Sequence, residues 1–144
     1  GVKAFYVVTP LKDQKELVEK IVSHWITGNG AVYNPARRRA LELIRIADTI
    51  EDVIEDIGRN GEGIPKTVVT CARNQPQCIG YDKFREMLHK GNPYLLNFGT
   101  GWGLSKEFLD KADHVLAPVK GDTDYNHLSV RSAVSIILDR LLGM

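Results

Sequence analysis

Cysteine is scarce in this chain of 144 residues: only Cys71 and Cys78 are present. Two thiols do not make a disulfide framework, so a reduced, cytoplasmic setting is the expectation. Too few His or Cys ligands lie near them for a zinc site, and no metal is expected. No apolar run approaches the ~20 residues that a membrane-spanning helix needs. The N-terminal residues read as a strand, not as a signal peptide. Neither sign of charge dominates, since 19 Lys and Arg against 18 Asp and Glu leave a net charge of +1. Contact with a polyanion would therefore have to come from a local patch.

Hydrophobic residues make up 43% and charged residues 26% of the chain, an ordinary globular balance with the length of one domain. A chain of this size buries roughly 70% of its unfolded surface, enough for a real core. Strand-like and helix-like segments alternate. Ala4 to Thr9 is β-branched and aromatic. Leu11, Leu17, Val18, Ile21, Val22 and Trp25 follow at helical spacing, and Gly28-Asn29-Gly30 should stop that helix. Asn34-Pro35 starts another helix, with Ala36, Ala40, Leu41 and Ile44 expected on its inner face and Arg37, Arg38, Arg39 and Arg45 outside. Ile46 to Asp48 reads as a short edge strand, and Thr49 caps a helix carrying Ile50, Val53, Ile54 and Ile57.

In the second half, 66–70, 94–98 and 114–117 read as buried strands, 71–80 as polar and irregular, and 81–90 as a helix. Ser105 caps a short helix, and Ser129 starts a last helix that Gly143 ends. The last helix is apolar on more than one face, as for a helix buried on two sides in a core or an interface. Strands separated by helices imply an α/β fold with a parallel sheet flanked by helices.

Ligands of an open parallel sheet sit beyond the carboxyl ends of its strands. Three such loops stand out: 70–74, Gly99-Thr100-Gly101-Trp102-Gly103, and 118–128. The glycine loop lets a ligand reach bare backbone N–H and C=O groups, but a tight turn requiring positive φ explains the same glycines. It matches neither the dinucleotide fingerprint nor a phosphate loop. Each polar residue of the last loop also has an ordinary reading: Ser129 as an N-cap, Asp124 and Asn126 as turn residues, His127 as a surface histidine.

Taken together, Phe98-Gly99-Thr100-Gly101-Trp102-Gly103-Leu104-Ser105, Val115-Leu116-Ala117-Pro118, Gly121 and Tyr125-Asn126-His127-Leu128-Ser129-Val130-Arg131-Ser132-Ala133 resemble the C-terminal half of SPOUT RNA methyltransferases. The chain is similar in particular to a bacterial group of RNA methyltransferases related to the tRNA guanine-N1 enzymes. The resemblance runs along all 144 residues and is most specific over 95–143.

That resemblance implies a C-terminal trefoil knot, which topology rules alone would not suggest, a homodimer, and S-adenosylmethionine as cofactor. By match, the cofactor would be held by Thr70, Cys71 and Ala72; by Phe98, Gly99, Thr100, Gly101 and Gly103; and by Leu116, Pro118, Val119, Gly121, Tyr125, Asn126, Leu128 and Ser129. Methyl transfer from a sulfonium needs chiefly alignment and a deprotonated acceptor, so Asp124, Asn126 and His127 are the catalytic candidates, the acid and the imidazole as proton acceptors. Arg37, Arg38, Arg39 and Arg73 are candidate contacts to RNA phosphates, with a solvated helix face as the alternative for the first three.

The chain departs from the family in one respect. SPOUT members usually carry an earlier strand and helix with an Asn…Arg motif. Residues 1–144 lack it, and the Asn34 to Arg39 run, though similar in composition, follows the first strand and helix. The expectation is thus one SPOUT-type domain over 1–144 without that N-terminal segment. Two other functions compete with methyl transfer. A SAM-binding module without activity would keep the loops but lack a catalytic arginine. A flavodoxin-like nucleotide or flavin binder would have an unknotted sheet and a phosphate at a helix N-terminus.

Overall fold

A computed structural model describes residues 1–61, 63–73, 75–122 and 125–143. The chain divides into two compact units, residues 1–59 and 60–144. Six strands are present among the described residues, all paired in parallel, and helices separate most of them. The α/β pattern read from the sequence is therefore present, but as two sheets.

In the first unit, β1 (Phe5–Val8) pairs with β2 (Ile44–Ala47) from Phe5↔Ile44 to Val8↔Ala47. Between them run α1 (Lys12–Ile26), α2 (Asn29–Tyr33) and α3 (Pro35–Leu41), and α4 (Ile50–Arg59) follows β2. Two local devices behave as expected. Asn34 Oδ1 accepts the Arg37 amide at 3.0 Å, with Pro35 at the first helical position. Thr49 Oγ1 accepts the Asp52 amide at 3.1 Å.

Three details differ from the sequence reading. Asn29 to Tyr33 forms an extra helical turn that begins within the glycine stretch, because Gly28 and Gly30 let it fold back on α1. A Cβ on Gly30 would lie 2.7 Å from the Trp25 ring, and one on Gly28 2.8 Å from the His24 carbonyl oxygen. Ala36 and Ala40 are exposed and Ile44 belongs to β2, so the proposed inner face of α3 reduces to half-buried Leu41. The edge strand starts two residues earlier than Ile46, since parallel pairing with β1 captures Ile44 and Arg45.

Arg45 then joins both strands to α4. Tyr6 Oη donates to Asp56 Oδ2 at 2.5 Å, while Arg45 Nη1 donates to the same carboxylate oxygen at 2.7 Å and to Tyr6 Oη at 2.9 Å. Burial, and then the hydrogen bond to Asp56, push the Tyr6 phenol above its ordinary value.

In the second unit the strand order is β4 (Cys78–Ile79), β6 (His114–Leu116), β3 (Lys66–Thr70), β5 (Tyr94–Asn97). β4 lies within the stretch read as irregular; two residues are too few for a periodicity to show. Val68 and Val69 are both 0% exposed. Successive strand residues point to opposite faces, so the central strand is covered on both sides. Three helices accompany this sheet: α5 (Tyr81–Leu88), α6 (Lys106–Lys111) and α7 (Val130–Leu142). Val68, Phe84, Leu116, Ile137 and Leu141 form the core, and Phe84 meets Tyr94 edge-on at 5.2 Å.

The N-terminal edge of this sheet is clamped by Asp113. Its Oδ2 accepts the Thr67 amide at 2.7 Å and the Thr67 hydroxyl at 2.8 Å. Those two bonds, the backbone one foremost, hold the carboxyl below its ordinary value. Among the described residues, no helix is long and apolar enough to cross a membrane, and no group of three or more His, Cys, Asp or Glu is placed to hold a metal ion.

Candidate functional site

Parallel register decides where the loops go. Val69 stands opposite Asn97, and Thr70 opposite Leu116, which also faces Ile79. The segments that leave β3, β5 and β6 therefore emerge side by side at one edge of the sheet. These are the three loops marked in the sequence, and side chains bind them together. Thr70 Oγ1 donates to the Asn97 carbonyl at 2.9 Å. Asn126 Nδ2 donates to the Ala72 carbonyl at 2.8 Å, tying the last loop to the first. The Ala117 amide donates to the Ile79 carbonyl at 2.9 Å and anchors the start of the last loop.

Asn97 is a residue that sequence reasoning passed over. It is buried, and its amide nitrogen donates to the Val68 carbonyl at 3.2 Å and to the Leu95 carbonyl at 2.9 Å. A buried amide must find such partners, and here they join β5 to β3 just before the glycine loop. The one signal in the sequence is an asparagine inside an otherwise apolar strand.

The glycine loop serves both of the readings open to it. Gly99 and Gly103 belong to the turn. A Cβ on Gly99 would lie 2.4 Å from the Gly103 carbonyl carbon, Gly103 has φ +79°, and the Gly103 amide donates to the Thr100 carbonyl at 2.8 Å. Gly101 is different: a Cβ there meets nothing within 4 Å. Among the described residues no hydrogen bond engages the Gly101 or Trp102 amide. The loop thus holds itself in shape with two glycines and offers bare, open backbone at the third.

The other candidates sort by burial. Thr70, Cys71, Phe98, Val119 and Asn126 are half-buried; Ala72, Thr100, Gly121, Tyr125, His127, Leu128 and Ser129 are exposed; Pro118 is buried. Leu116 is 0% exposed and its side chain packs in the core. Val119 packs partly against the same core, whereas Leu128 has its side chain in the open.

Ser129 does what an N-cap does: its Oγ accepts the Ser132 amide at 3.3 Å. The His127 ring lies 5.7 Å from the Tyr125 ring. Asp124 lies outside the described residues. Arg73 is exposed beside the first loop. Arg37, Arg38 and Arg39 are exposed on α3 of the first unit.

The donor set of this edge is chiefly backbone amides and carbonyls, with glycine at Gly101 and Gly121 leaving open space where a side chain would stand. That chemistry fits an adenosine, whose base and ribose bond well to backbone groups and whose base wants apolar surroundings such as Val119 and Leu128. It offers no phosphate-loop lysine.

Comparison with known proteins identifies the family. Residues 1–143 match the family described as SAM-dependent RNA methyltransferase. Over 143 residues the chain is 43% identical to a tRNA (guanine-N(1)-)-methyltransferase of Nitratidesulfovibrio vulgaris and 40% identical to one of Oleidesulfovibrio alaskensis. It covers 99% of its own length but 33% of each relative, so it spans about a third of these proteins. An uncharacterized protein of Aquifex aeolicus is 37% identical, and the match covers 70% of that relative. With the match extending over both units, the chain belongs to the SAM-dependent RNA methyltransferase family.

Proposed function

We propose that the chain binds S-adenosylmethionine at the three-loop edge of the four-stranded sheet and transfers its methyl group to RNA. The observation that carries this reading is that the described residues of the three loops, 70–72, 99–103, 116–122 and 125–129, leave one edge of the sheet, with Thr70 and Asn126 tying them together. The cofactor supplies an electrophilic methyl group. The chain's part is to hold and align. The open backbone of Gly101, with Thr100 and Gly121 nearby in their loops, binds the adenosine. Phe98, Val119 and Leu128 supply apolar surroundings. Cys71 and Ala72, just after β3, form the floor, and Leu116 and Pro118 contribute backbone.

Asn126 keeps the last loop closed over the first and leaves its Oδ1 free to orient an acceptor. His127, stationed by the Tyr125 ring, and Asp124 are the groups to accept the proton that the RNA atom loses. Arg73 contacts a phosphate next to the site.

The relatives' name belongs to proteins about three times as long, and it makes guanine N1 of tRNA the first acceptor to test. The C-terminal trefoil knot is also part of this proposal. We further propose a homodimer built on exposed apolar residues of the last loop and helix, Leu128, Val130 and Leu142, acting in the cytoplasm.

The test is calorimetric titration with S-adenosylmethionine and, separately, with flavin mononucleotide. It is followed by transfer of labelled methyl groups to tRNA and rRNA. Saturable S-adenosylmethionine binding with label in RNA is the expected result. Binding without transfer would make the chain a cofactor-binding module, and flavin binding alone would sink the reading.

A further inference from the structure

The first unit carries a surface that cofactor binding does not use. From Asn29 to Leu41 there are three arginines and no acidic residue. A local charge of +3 there contrasts with +1 for the whole chain. At the end of α2, Val32 is 86% and Tyr33 87% exposed. Neither the Tyr33 nor the Arg39 side chain has a hydrogen bond, ion pair or ring contact among the described residues. Arg38 is shared with Glu42, at 3.0 Å.

Arg37 is held differently. Its guanidinium lies 4.6 Å from the centre of the Trp25 ring, and Gly30 also comes close to that ring, which a Cβ there would meet at 2.7 Å. The Asn34 cap, accepting the Arg37 amide, joins the end of α2 to the start of α3. One tight turn therefore separates an exposed phenol from a guanidinium that is already held against an indole, with its residue exposed to solvent.

This combination suits unpaired nucleotides. Aromatic rings and guanidinium planes stack on bases that are not buried in a duplex, and sequence-tolerant stacking beside positive charge is the usual way single strands are held. A lipid surface would want a deep apolar face under the arginines. α3 instead exposes Ala36 and Ala40, and the helix has only seven residues.

We propose that this surface binds a single-stranded segment of the RNA substrate, with bases stacked on Tyr33 and on the outer face of Arg37, and with Arg39 and Arg38 on the flanking phosphates. The proposal rests on the reading of RNA as substrate.

The test is fluorescence anisotropy of a labelled single-stranded RNA, and of its duplex, over a series of salt concentrations. Tyr33→Ala is expected to weaken single-strand binding about tenfold and Tyr33→Phe to restore it. Arg39→Ala should lower the slope of log affinity against log salt by about 0.7, one phosphate contact on a single strand. Arg37→Lys keeps the charge but loses the plane, and should bind as weakly as Arg37→Ala.

Unchanged affinity and slope in Tyr33→Ala, Arg39→Ala, Arg37→Lys and Arg37→Ala would overturn the proposal. So would equal binding of the duplex with no effect of Tyr33→Ala, or binding of phosphatidylserine vesicles but not RNA. S-adenosylmethionine titration of the same variants separates the two ideas. If wild type fails to bind the cofactor while Tyr33→Ala still weakens RNA binding, the methyltransferase reading falls and this surface stands.

Discussion

Gly99 and Gly101 sit two residues apart in one loop, and the structure gives them opposite fates on substitution. A Cβ at Gly99 would lie 2.4 Å from the Gly103 carbonyl carbon and 2.7 Å from the Leu104 nitrogen, both backbone atoms that cannot swing aside. Gly99→Ala must therefore open the turn, at a cost in the range of overpacking, about 1–3 kcal/mol. For a chain of this length that lowers Tm by several degrees. At Gly101 a Cβ has nothing within 4 Å, and φ is not positive. Gly101→Val should change stability by no more than about 0.5 kcal/mol, like other surface substitutions. Yet it places two methyl groups where the adenosine is proposed to meet the backbone. A loss of at least about 1.4 kcal/mol of binding, tenfold in Kd, is expected. Thermal unfolding without ligand and calorimetric titration with S-adenosylmethionine measure the two quantities. If Gly101→Val binds within twofold of wild type, the glycine loop is not the cofactor seat. If Gly99→Ala keeps its Tm, the turn is not as described.

Three further outcomes are expected. Asn126→Ala removes the bond to the Ala72 carbonyl; it should cost about 1 kcal/mol of stability and weaken cofactor binding severalfold, and Asn126→Asp, which has no donor to offer, should do the same by calorimetry. Leu116→Ala should destabilise by about 2–5 kcal/mol in denaturant unfolding because the side chain is wholly in the core, whereas Leu128→Ala, with its side chain exposed, should leave stability within about 0.5 kcal/mol. The carboxyl of Asp113 is held below its ordinary value of 3.8 by the two bonds from Thr67. Its contribution is then fully present above that value and is lost as pH falls through the lower folded value. Asp113→Asn should therefore flatten the acid limb of a stability–pH curve below about pH 4, a region best followed by circular dichroism.

Much of the element order was legible in residues alone. Asn34-Pro35, Thr49, Ser105 and Ser129 each start a helix within a residue of the expected place, and the capping bonds are present at all four. Capping is a local interaction, set by a few neighbours. The three loops were legible too, because glycine and polar residues cluster between apolar strands. What did not show was short or distant. The two-residue β4 and the five-residue α2 carry no periodicity. The inner face assigned to α3 failed because Ile44 is claimed by a strand 39 residues away in the chain, through its pairing with Phe5.

The sequence by itself determined the alternation of strands and helices, the caps, the scarcity of thiols and the three glycine-rich or polar loops after the strands, since each depends on residue type and near neighbours. Only tertiary structure decided which strands pair, and with it that these loops meet. The order β4-β6-β3-β5 brings Asn126 to Ala72 across 54 residues of chain. It also sends Leu116 into the core and leaves Gly101 open. Those outcomes depend on register and burial between distant segments, which no window of neighbouring residues contains.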